Sequence, residues 1–77
     1  MNNTYQSLNW NGQTLEISIK KDFLLSQLTG EEQAVLKVIS TENENPLIHD
    51  TYSAAVIESA GGTADFVDVI LSAQLAA

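Results

Sequence analysis

The chain has 77 residues, with ten acidic side chains against three lysines and no arginine, a formal charge of −7. That balance disfavours nucleic acid and anionic membrane as direct partners, since both are held through cationic side chains. It has no cysteine, which excludes disulfides and thiolate metal sites, and its apolar fraction of 44% is enough to fold rather than stay disordered.

Residues 1–77 read as one small acidic domain, with 1–3 a loose end. No basic start followed by an apolar run marks a targeting signal, and no apolar run approaches the length of a membrane span. The cytoplasm is the expected compartment.

The first element is a β-hairpin over about 4–10 and 13–19. Asn11-Gly12 is the dipeptide that type I′ hairpin turns favour. A two-residue loop there pairs Trp10 with Gln13, Leu8 with Leu15, Gln6 with Ile17 and Thr4 with Ile19. Leu8, Trp10, Leu15, Ile17 and Ile19 then share one face, and a slip of one residue would break that segregation. A lone hairpin is marginal in water, so its apolar face needs a cover. Trp10 ends the apolar row beside the turn, where it either closes the core or is offered to a partner.

The cover is expected from three to four short helices, which makes the fold α+β. Phe23, Leu24, Leu25 and Leu28 predict a helix over about 21–28, with continued strand as the alternative. Residues 30–40 read as a second helix. Thr29-Gly30-Glu31-Glu32 matches a capping box, and Val35, Leu36 and Ile39 supply its buried stripe. The polar stretch 41–45 reads as a loop. Asn45-Pro46 is a helix-start signal for a third helix over about 46–60, ended by Gly61-Gly62. Its rival is a strand, because Tyr52, Val56 and Ile57 are β-formers. Thr63 is positioned to cap a last helix over about 64–75, with Phe66, Val67, Ile70 and Leu71 inward.

No residue set reads as catalytic, cofactor-binding or metal-binding. The single histidine, His49, has Asp50 beside it, but sequence neighbours on a helix point apart. Glu42 and Glu44 lack the spacing of a calcium loop. Gly61-Gly62 lacks the Lys-Ser/Thr ending of a phosphate loop. A helix-turn-helix over 46–74 would present Asp65 and Asp68 to DNA with no lysine or arginine to read it.

Two short stretches resemble known signals. Ala60-Gly61-Gly62 is similar to the double-glycine cleavage site of bacterial peptide leaders. Leu75-Ala76-Ala77 is similar to the end of the bacterial trans-translation tag, which a protease reads at a free C-terminus.

The expected function is therefore a non-catalytic, acidic protein-interaction domain. In its sharpest form it is a phage or mobile-element inhibitor, an anti-defence protein that mimics DNA to block a basic nucleic-acid-processing enzyme. Glu31, Glu32, Glu42, Glu44, Asp50, Asp65, Asp68 and Trp10 are its candidate protein-binding residues, and the partner is a basic protein. One alternative is a structural or regulatory subunit that acts through apolar contacts as a homodimer. Another is a precursor peptide with a double-glycine leader.

Overall fold

In the computed structural model, residues 3–76 are described, and among them the side chains of 6–42 and 46–75. The loose end expected at 1–3 lies outside the described residues, save that Asn3 opens the first strand. The fold is α+β. Four strands, β1 (Asn3–Trp10), β2 (Gln13–Lys21), β3 (Gln33–Ser40) and β4 (Asn43–Ser53), form one antiparallel sheet in sequence order. Helix α1 (Phe23–Thr29) joins β2 to β3, and α2 (Ala54–Ser59) and α3 (Thr63–Ala76) follow β4.

The hairpin has the expected register, including all four predicted pairs. Asn11 at φ 56° and Gly12 at φ 81° supply the two positive φ angles of a type I′ turn, whose twist matches the strands. Leu15 and Ile17 are 0% and 1% exposed, so the apolar row of β2 does face the core.

One of the predicted helices is instead a strand, and a second is strand over its first half. Residues 30–40 are not a helix, because Thr29 and Gly30 end one rather than start one. Gly30 has φ 75°, and its N–H donates to the Ser26 carbonyl, a left-handed C-terminal stop. The Thr29 hydroxyl donates to the Leu25 carbonyl, so the capping box does not form. Beyond it, Ala34, Leu36, Val38 and Ser40 alternate inward and are all buried. That is the period of two that β-branched Val35, Val38 and Ile39 favour.

The second correction concerns 46–60. Residues 43–53 are β4, and only Ala54–Ser59 is helical. Asn45-Pro46 resembles a helix start, but Pro46 lies in an edge strand beside two shifts of register, opposite Ile39. A missing N–H is tolerated in such a place. The cover over the hairpin is thus two further strands beside it and two helices above, rather than three or four helices.

The core lies between one sheet face and the α2–α3 pair. Leu15, Ile17, Leu36, Val38 and Ile48 meet Ile57, Phe66, Val67 and Leu71. Phe66 packs edge-on to Tyr52 of β4, with ring centroids 4.9 Å apart, a favoured aromatic geometry. Gly61 and Gly62, at φ 107° and 115°, carry the chain from α2 to α3 through conformations that side-chain-bearing residues avoid. At Gly61 an added Cβ would lie 2.5 Å from the Asp65 carboxylate, a contact that the exposed Asp65 side chain relieves by rotating, so it is the backbone conformation that calls for glycine.

Tyr52 adds a pH dependence at the alkaline end. Its phenol is pushed above the ordinary tyrosine value, first by burial and then by the Asp50 carboxylate. The folded state therefore holds the proton more tightly than the unfolded chain. Its contribution is full below the unfolded value near 10 and is lost as pH rises through the folded one. We expect stability to begin falling as pH rises above about 10, and Tyr52→Phe to flatten the fall. Denaturant melts from pH 8 upward check this, with parallel curves for the two proteins as the opposing result.

Candidate interaction surface

The residues that reach solvent around α1 make the candidate site. Asp22 caps the helix by accepting the Leu25 N–H at 2.9 Å. The Ser26 hydroxyl donates to the Asp22 carbonyl at 2.6 Å and accepts the Gln33 N–H at 2.8 Å. These polar bonds pin α1 to the start of β3. Apolar packing does little of that work, because no residue of α1 is buried. Phe23, Leu24 and Leu28 are 54%, 69% and 74% exposed.

Charge flanks this apolar helix. The Lys21 ammonium sits 5.0 Å from the Phe23 ring centroid and 3.8 Å from the Glu32 carboxylate. Glu31 and Glu32 follow the C-terminal end of α1, both exposed, where helix carbonyls already add negative potential. A shallow groove of about 370 Å³ runs beside Phe23, Ser26, Gln27 and Glu31. A second cleft, about 320 Å³, lies between Lys21, Glu32, Ala34, Ile57 and Glu58. Of its two lysines, Lys20 and Lys21, the second is already matched by Glu32.

The other predicted binding residues disperse. Glu42 is exposed beside Thr41 in the turn between β3 and β4, and Asp50 is exposed on edge strand β4. Asp65 and Asp68 are exposed on α3. The side chain of Glu44 lies outside the described residues. Glu16, which was not among the candidates, is exposed on the sheet face away from α2 and α3. The structure therefore brings Glu31 and Glu32 together with α1, keeps Asp65 and Asp68 on α3, and leaves Glu16, Glu42 and Asp50 on separate elements.

Trp10 is half-buried and packs against the core. Its indole N–H donates to Asp68 at 2.7 Å, so it fastens the hairpin tip to α3. Asp68→Ala is expected to lower stability by about 0.5–1.5 kcal/mol, the usual worth of one such bond, and to shift Trp10 fluorescence to the red. An unchanged melting curve and spectrum would show that the bond does not hold in solution.

His49 lies opposite Lys37 in the β3–β4 register, beside a cation rather than a carboxylate. Among the described residues no group of three His, Asp or Glu side chains is placed to hold a metal, and no helix is long and apolar enough to cross a membrane. Residues 63–76, which follow the double glycine, form α3 and lend Phe66, Val67 and Leu71 to the core. Residue 77 of the degradation-tag resemblance lies outside the described residues.

No protein-family model, curated protein or solved structure matches this chain.

Proposed function

We propose that this chain is an acidic, non-catalytic protein-interaction domain of the cytoplasm that seats a basic, amphipathic partner on α1. The observation that carries the reading is the exposure of Phe23, Leu24 and Leu28 on a helix with no buried residue. A 77-residue chain has few large apolar side chains to spare from its core. Three of them left exposed on one two-turn helix mark a contact surface. Glu31 and Glu32 beside them, within a molecule of charge −7, favour an approaching cationic surface and speed its encounter.

The inhibitor form of this reading, a DNA mimic from a phage or mobile element, asks for carboxylates in a row. The acids leave from different elements and from both sides of the sheet, so we assign the contact to α1 and the acids to steering. The double glycine is read as the α2–α3 turn, because cutting there would remove Phe66, Val67 and Leu71 from the core.

Affinity capture from native cytoplasm at low and high salt tests the proposal. Capture that survives high salt supports an apolar contact on α1, since salt screens exposed charges but not apolar burial. Capture abolished by salt, or no captured protein, counts against it.

A further inference from the structure

The two edges of the sheet are not alike. β4 is a defended edge. It contains Pro46, two shifts of register near it, and the charged Asp50. Prolines, bulges and charges are the devices that keep sheet edges from pairing with other chains. β1 has none of them. Its eight residues pair with β2 without a break, and no charged side chain or proline occurs anywhere in residues 1–15.

The register shows which groups β1 leaves free. A two-residue hairpin turn makes Trp10 and Gln13 a pair that exchanges both hydrogen bonds, and the pattern then alternates. Leu8 and Gln6 therefore point their backbone N–H and C=O at β2. Those of Tyr5, Ser7 and Asn9 point outward, and among the described residues no strand lies against them. The Thr41 N–H donating to the Thr14 carbonyl, away from β1, fits the same alternation.

We propose that two copies of this chain join along β1, antiparallel about a two-fold axis, into one continuous eight-stranded sheet. Charge selects a second copy as the occupant. At −7 two copies repel over most of their surface, and β1 is the edge that holds none of the ten acids. Asp68 of α3 meets only the end of β1, at Trp10, and the acid beside the centre of the strand is Glu16, opposite Ser7 on β2. With Ser7 facing its twin, the two Glu16 residues stand three strand spacings apart, about 14 Å, beyond a screening length of about 8 Å. Ser7 then pairs with Ser7, and Tyr5 with Asn9, so the outward groups match themselves under the two-fold. This pairing is independent of the partner proposed for α1, which lies at another part of the molecule.

The test uses the full chain. Sedimentation velocity across a wide concentration range should show a monomer–dimer equilibrium. Ser7→Pro removes an outward N–H and spares the β1–β2 ladder, so it should yield a folded monomer where the parent is dimeric. Ser7→Lys, which places a charge on the edge, should do the same, and it carries the test if the proline variant does not fold. Hydrogen exchange adds a signature that misfolding does not mimic. The amides of Tyr5, Ser7 and Asn9 should slow as concentration rises, while those of Gln6 and Leu8 are slow throughout. A parent that stays monomeric, a dimer indifferent to Ser7→Lys, or slowing on β4 instead of β1 overturns the proposal.

Discussion

Replacing Leu36 with alanine should remove about 2–5 kcal/mol of stability, the range for emptying a buried leucine site. Leu36 is 0% exposed in the middle of β3, an inner strand with β2 on one side and β4 on the other. A domain of this length has a total stability of about 4–12 kcal/mol at 0.05–0.15 kcal/mol per residue. The variant should therefore melt far below the parent or be unfolded at the outset. Ile39→Ala is the informative control. Ile39 is half-buried on the opposite face of β3, so its loss should do less harm. Had 30–40 been a helix with Val35, Leu36 and Ile39 as its inner stripe, the two substitutions would be comparably severe. Denaturant melts of both variants distinguish the two periodicities.

The second large effect is on binding. Leu24→Ser with Leu28→Ser should leave folding stability within about 0.5 kcal/mol, as for surface changes away from packed groups. The same pair should abolish capture of the partner. The few anchors at the centre of an interface carry most of its binding energy, about 2 kcal/mol or more for each such hot spot, and on α1 the two leucines are the most exposed candidates for that role. Glu31→Gln with Glu32→Gln should act differently. It should slow association and reduce its salt dependence, with smaller loss of affinity, because rim charges act mainly on the rate of encounter. A leucine pair that binds like the parent would place the contact elsewhere.

The hairpin was legible in the residues because independent signals agree there. Asn11-Gly12 sets the turn, and Leu8, Leu15, Ile17 and Ile19 segregate to one face only in that register. β3 was misread because Val35, Leu36 and Ile39 also fit a helical spacing, and because Thr29-Gly30-Glu31-Glu32 carries capping chemistry. The same Thr-Gly pair equally suits the last turn of a preceding helix, and α1 had the prior claim on it. For β4, Asn45-Pro46 imitates a helix start, while tolerance of Pro46 depends on the strand lying at an edge, which is a tertiary fact. The strand reading of Tyr52 was the sound part of that ambiguity, but Val56 and Ile57 belong to α2.

The candidate surface was less legible than the fold. Phe23, Leu24 and Leu28 belong to a helix expected among those that cover the hairpin, because a short apolar helix beside a hairpin is usually part of its cover. They are exposed because α2 and α3 already occupy the covered face of the sheet. Only the three-dimensional arrangement shows that α1 is left over. The acids were easy to enumerate in sequence, but their grouping depends on which side of the sheet each element takes. Trp10 could be placed at the end of the apolar row, and the choice between core and partner needed Asp68, fifty-eight residues away.

The most direct test of α1 as the contact surface is a hydrogen-exchange footprint of the captured complex. α1 has no buried residue, so its amides should exchange quickly in the free chain. On binding, the amides of Leu25, Ser26, Leu28 and Thr29 should slow strongly while those of α3 change little. Protection that appears on α3 or along the Glu16 face, with α1 still exchanging freely, would contradict the account.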